Sequence, residues 1–182
     1  MTPDQSIAIV PEGAPRLVLG HGASGTAASM AAHVAGLRAR GIDARAIDLP
    51  RGRAERAVPL FATLLAADRT LAIGGHSYGG RAASLAAAGQ PARALVLFSY
   101  PLHAPGRPDD WEARTDHWPS IACPVLLLSG ESDPFARIDL LREAVPRLPD
   151  ARLVTWPRLG HGLGPVLDEA LDLVADFLLE RR

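Results

Sequence analysis

Along this chain, short apolar runs alternate with longer stretches in which apolar residues recur every three or four positions. The runs cover residues 7–10, 16–19, 44–47, 70–73, 94–98, 125–128 and 152–154, and their length suits strands rather than helices. The longer stretches, residues 28–40, 55–66, 81–88, 138–145 and 166–179, predict helices. In the last of them Val166, Leu167, Ala170, Leu171, Val174 and Leu178 make one apolar face, with Asp168, Glu169, Asp172 and Asp176 between them. Gly41 follows the first helix where a glycine commonly ends one. Strand and helix in turn from end to end predict an α/β fold, a mostly parallel sheet of six to seven strands with helices on both faces. Residues 99–119 break the rhythm with four prolines and no period. A segment of that length without regular structure is more often functional than passive, so it is expected beside the site.

A length of 182 residues fits a single domain spanning residues 1–182, large enough to bury roughly 70% of the unfolded chain's surface. The hydrophobic fraction of 48% and charged fraction of 21% are those of an ordinary globule rather than a disordered chain. A net charge of -1 creates no long-range field, so neither nucleic acid nor a membrane surface is expected as a partner. Every basic residue is arginine, which excludes lysine Schiff-base and P-loop chemistry. The single cysteine, Cys123, cannot form an internal disulfide and reads as a small buried hydrophobe. No basic segment followed by an apolar one opens the sequence, and no apolar stretch approaches the roughly 20 residues of a membrane span, so a cytoplasmic protein is expected.

The run at residues 70–73 leads into Gly74-Gly75-His76-Ser77-Tyr78-Gly79-Gly80, and a helical stretch follows at once. Strand, tight turn, serine and helix together make the pattern of a nucleophile elbow. A serine lifted out of so sharp a turn sits at strained backbone angles, and neighbours two residues either side must lack a Cβ; Gly75 and Gly79 occupy those places. The helix that follows aims its N-terminus at charge developing beside the hydroxyl. A serine is a poor nucleophile at neutral pH and needs a histidine base oriented by a carboxylate. Asp133 stands in Ser129-Gly130-Glu131-Ser132-Asp133-Pro134 after the run at 125–128, with Glu131 as a competitor two residues earlier. His161 lies between Gly160 and Gly162 after the run at 152–154. Ligands of open α/β sheets bind at the C-terminal ends of the strands, where Ser77, Asp133 and His161 can converge, and the order Ser, Asp, His is that of a hydrolase triad.

On these motifs the chain resembles the α/β-hydrolase superfamily from the strand at residue 16 to the last helix. The segments His21-Gly22-Ala23-Ser24-Gly25, Gly79-Gly80-Arg81, Tyr100-Pro101-Leu102-His103-Ala104-Pro105-Gly106 and Gly130-Glu131-Ser132-Asp133-Pro134-Phe135 look like the branch containing the NSL-complex regulatory subunit and its testis-expressed relative. Bacterial members of that branch resemble dienelactone hydrolases more loosely, and those would carry cysteine where Ser77 stands. The resemblance implies Ser77 as nucleophile, His161 as base and Asp133 as its orienting acid, with oxyanion donors from the backbone N–H groups of Tyr78 and Ala23. The expected activity is hydrolysis of small carboxylic esters or thioesters through an acyl-enzyme. The alternatives are a non-catalytic hydrolase-fold binding or scaffolding module, as some members of the branch look to be, and acyl transfer to a non-water acceptor. The chain is short for the superfamily and leaves no room for a cap domain, so residues 99–119 are the only candidate cover.

The remaining candidates have two readings each. Arg81, one helical turn beyond Ser77, either binds a substrate carboxylate or pairs with an internal acid, and the second is favoured. Tyr100, Trp111 and Trp118 either wall a substrate pocket or pack residues 99–119 together. His103 and His117 either touch substrate or face solvent, with solvent favoured. His76 is expected to pack under the elbow, His21 to brace the oxyanion loop and His33 to lie on a helix face. No metal and no cofactor are predicted, because His21, His76 and His161 come with no cysteine ligand and no H-E-x-x-H spacing.

Overall fold

In the computed structural model, which describes residues 11–180, six strands form one wholly parallel sheet. They are β1 (Arg16–Gly20), β2 (Asp43–Ile47), β3 (Ala72–His76), β4 (Leu95–Phe98), β5 (Val125–Gly130) and β6 (Ala151–Trp156), in the spatial order β2-β1-β3-β4-β5-β6. The strand expected at residues 7–10 lies outside the described residues. The helices are α1 (Ala31–Ala39), α2 (Val58–Ala67), α3 (Tyr78–Gly89), α4 (Trp111–Thr115), α5 (Ile138–Ala144) and α6 (Leu167–Leu179).

The apolar runs are unbroken because the sheet is buried on both faces. Val18, Leu95, Leu97, Val125 and Leu127 point into a core shared with Phe61 and Leu65 of α2, the alanines of α3 and Leu141 of α5. The residues between them, Leu17, Leu19, Val96, Phe98, Leu126 and Leu128, point the other way onto Leu37 of α1 and the apolar face of α6. Gly36 lets α1 approach α6 closely: a Cβ there would stand 2.4 Å from Leu171 Cδ1. Arg40 closes the same contact with hydrogen bonds of 2.6 Å to both Asp168 and Asp172. Gly41, at φ 80, ends α1 as expected.

Residues 99–119 are not a structureless loop. They contain α4 and bury Tyr100, Leu102, His103, Thr115 and Trp118, with the Tyr100 and Trp118 rings 5.1 Å apart. Among the described residues no helix is long and apolar enough to cross a membrane. Cys123 is buried, and desolvation pushes its thiol up to about 11.

The strand order reverses beside β1: the chain moves outward to β2, then returns to lay β3 on the other side of β1. The C-terminal ends of β1 and β3 therefore flank the crevice in which open α/β sheets bind ligands.

Candidate active site

β3 runs three residues further than the sequence predicts, because Gly74, Gly75 and His76 continue the strand, paired with Val96, Leu97 and Phe98 of β4. The turn itself is a single residue. Ser77 has φ 51 and ψ -113, and α3 starts at the next residue. Glycine is required around it by close approach. A Cβ on Gly75 would lie 2.5 Å from the Gly20 carbonyl oxygen, and one on Gly79 would lie 2.3 Å from the Gly20 carbonyl carbon. Gly20, Gly75 and Gly79 thus let β1, β3 and α3 touch backbone to backbone. Ser77 stands where a helix-capping residue would, yet its side chain makes no cap bond.

The hydroxyl faces His161 instead. Asp133 Oδ2 accepts a 2.8 Å hydrogen bond from His161 Nδ1–H, and His161 Nε2 stands 2.8 Å from Ser77 Oγ as the acceptor for its proton. The Asp133 side chain is fully buried, and its second oxygen accepts from the Phe135 N–H at 2.8 Å. The Phe135 ring lies 4.5 Å from the imidazole. The loops after β5 and β6 are tied by a 2.8 Å bond from Ser132 N–H to the Leu159 carbonyl. Gly130 makes their contact possible, since a Cβ there would meet the Leu159 oxygen at 2.2 Å. Glu131 is engaged elsewhere, accepting from Arg142 and Thr155 at 2.8 Å each.

Ser77, Tyr78 and Ala23 line one cavity of about 480 Å³, together with Pro101, Ala104, Arg114 and Phe135. Residues 99–119 therefore do border the site. The loop carrying Ala23 is held by His21, whose Nδ1–H donates to the Gly22 carbonyl at 2.7 Å while Nε2 accepts from Leu49 N–H at 2.9 Å. Tyr78 directs its hydroxyl to the Pro50 carbonyl, fixing the loop after β2 against α3. His76 lies beside His161 and donates from Nε2 to its carbonyl at 3.2 Å. Burial, ahead of every other influence, holds the His76 ring below the usual histidine range.

Of three substrate candidates, Tyr100 takes its packing reading and the two histidines are placed differently from the sequence expectation. Tyr100 is buried and does not reach the cavity; its hydroxyl donates to the Arg114 carbonyl at 2.7 Å and its ring packs in the core. His103 is also buried, neither touching the cavity nor facing solvent. It donates from Nδ1 to the Ala104 carbonyl at 2.9 Å and accepts at Nε2 from Arg137 N–H at 3.0 Å. His117 packs against Ser84 at 2.8 Å, and burial, then the charge of Arg81, lowers it to about 4. Arg81 pairs with the internal acid Glu55 at 3.3 Å, the favoured of its two readings, and also lines the cavity. Arg53, Glu55 and Arg114 also line the cavity and carried no sequence signal of their own; Phe135, from the segment that carries Asp133, lines it too. Among the described residues, no group of three or more His, Cys, Asp or Glu side chains could hold a metal ion.

Residues 52–169 match the family model described as an alpha/beta hydrolase domain. The chain belongs to the α/β-hydrolase family. No curated protein matches it by sequence. Among solved structures it is similar to Est1E from Butyrivibrio proteoclasticus, at TM-score 0.78 and 19% identity over 94% of this chain and 89% of that one. It is also similar to the monoacylglycerol lipase of Paleococcus ferrophilus, at TM-score 0.80 and 16% identity over 93% and 97% of the two chains. The esterase Est2 of Thermogutta terrifontis, in its butyrate-bound form, superposes at TM-score 0.69 and 18% identity over 92% and 83%. At these identities the likeness is one of fold.

Proposed function

We propose that the protein is a serine hydrolase of small carboxylic esters or thioesters, working through an acyl-enzyme on Ser77. The observation that carries this reading is the unbroken relay from Asp133 through His161 to Ser77, with both links at 2.8 Å. His161 Nε2 takes the hydroxyl proton as Oγ attacks the acyl carbon, and the Asp133 carboxylate stabilises the imidazolium that forms. The tetrahedral oxyanion is received by the N–H groups of Tyr78, first in α3, and of Ala23 across the crevice. The imidazolium then protonates the leaving alcohol or thiol. Water, deprotonated by the same Nε2, releases the acid. The esterase and lipase folds to which the chain is similar support the choice of ester chemistry.

We infer that, within the family, the chain resembles the branch of the NSL-complex regulatory subunit. In support, its four quoted segments all lie at or beside the C-terminal ends of β1, β3, β4 and β5. A fluorophosphonate probe with a panel of short-chain esters tests the activity. Wild type should be labelled on Ser77 and turn over acetate or butyrate esters, and Ser77→Ala should do neither. Wild type that is neither labelled nor active would make the protein a non-catalytic module.

A further inference from the structure

Three arginines, Arg53, Arg81 and Arg114, line the catalytic cavity against a single carboxylate, Glu55. The excess is local, since the whole chain carries a net charge of -1. Glu55 pairs with Arg81 at 3.3 Å, and among the described residues neither Arg53 nor Arg114 has a carboxylate within salt-bridge distance. Arg114 is positioned through its backbone: its carbonyl accepts from the Tyr100 hydroxyl at 2.7 Å and from Arg81 Nη1 at 3.3 Å. Its guanidinium makes one bond, from Nη1 to the Pro101 carbonyl at 3.2 Å, and Arg114 lines the cavity with the rest of a planar fork left over for a ligand. Burial, then the neighbouring charge of Arg81, pushes that guanidinium below the usual arginine range. Two cations brought together beside a partly dry cavity are a cost that a bound anion would relieve.

We propose that the substrate carries a carboxylate distant from its scissile ester, and that Arg114 and Arg53 receive it beside the Arg81–Glu55 pair; this rests on the reading that Ser77 takes the acyl group. One cavity of about 480 Å³ holds Ser77 and these arginines together, so the class indicated is the half-ester of a short dicarboxylic acid. A forked guanidinium–carboxylate contact would also fix the acyl chain's direction relative to Oγ.

The test compares monoethyl glutarate with ethyl pentanoate, in turnover by wild type and in calorimetric binding to Ser77→Ala. The expected result is a preference of at least about tenfold in kcat/KM for the half-ester at low salt, shrinking as salt screens the charges. Arg114→Gln should cut the ratio between the two esters several-fold, chiefly through KM for the half-ester. Arg53→Gln should cut it in the same direction and serves if Arg114→Gln fails to fold. Arg69→Gln removes one exposed charge just before β3, at the opposite end of the sheet from the cavity, and should leave the ratio unchanged. Equal turnover and equal binding of the two esters would overturn the proposal. Half-ester binding to Ser77→Ala with no turnover by wild type would uphold the arginine site and overturn the hydrolase reading. Turnover of ethyl pentanoate with no half-ester binding or preference would do the reverse.

Discussion

Asp133 is held from two sides, by the imidazole on one oxygen and the Phe135 N–H on the other, in a position closed to water. An asparagine there keeps an acceptor for Phe135 but turns an amide N–H toward His161, which favours the tautomer protonated on Nε2. That tautomer cannot take the serine proton. Asp133→Asn should therefore lower kcat by about 10⁴-fold, the size of this change in a serine-protease triad, measured on any ester the wild type cleaves. Glu131→Gln, whose carboxylate serves Arg142 and Thr155, should stay within a few-fold of wild type. Ser77, Asp133 and His161 were legible in the sequence because each signal is local: a strand end, a following loop, a flanking glycine. Arg114, Tyr100 and His103 were not, since only the folding back of residues 99–119 decides which side chains meet the cavity and which meet the core.

At the level of elements, the elbow depends on α3 lying against β1 without side chains between them. Gly79→Ala would place a methyl group within 2.4 Å of two Gly20 backbone atoms, and neither can yield without moving a whole element. Overpacking of this kind costs about 1–3 kcal/mol, or a fall of roughly 2–12 °C in Tm for a chain of this size. Because Ser77 and Tyr78 start the same helix, ester turnover should fall as well. Gly89→Ala, at the exposed end of α3 with nothing within 4 Å, should leave Tm unchanged or raise it, by up to about 1 kcal/mol of helix propensity. Thermal denaturation of the two variants side by side reads the difference. The same crowding explains why β3 was read too early in the chain. Gly74 and Gly75 look like a turn in sequence, whereas in the sheet they make a strand whose missing side chains admit its neighbours.

At the level of the whole molecule, His33 and His117 lie on opposite faces of the sheet, His33 on α1 against Phe98 and His117 against Ser84 of α3. Burial leads in lowering both to about 4, helped by His76 at the first and Arg81 at the second, while Asp116 and Glu55 oppose it at His117. The unfolded chain, titrating near the ordinary histidine value of 6.5, thus takes up protons that the folded one refuses. Folding stability should fall as pH drops from about 6.5 to about 4, with no further loss from these two groups below that. Urea midpoints across this range check the slope, and His117→Gln should flatten it. The sandwich of helices around a parallel sheet was readable from the alternation of runs and periods, because burial on both faces leaves a signature in the four inner strands. The relay spans loops after β3, β5 and β6, with His161 84 positions beyond Ser77. A growing polypeptide therefore carries its elbow through the synthesis of all these residues with no base to activate it, and the serine stays chemically silent until β6 docks. Covalent labelling of Ser77 would consequently report completed folding, rather than the mere presence of the residue.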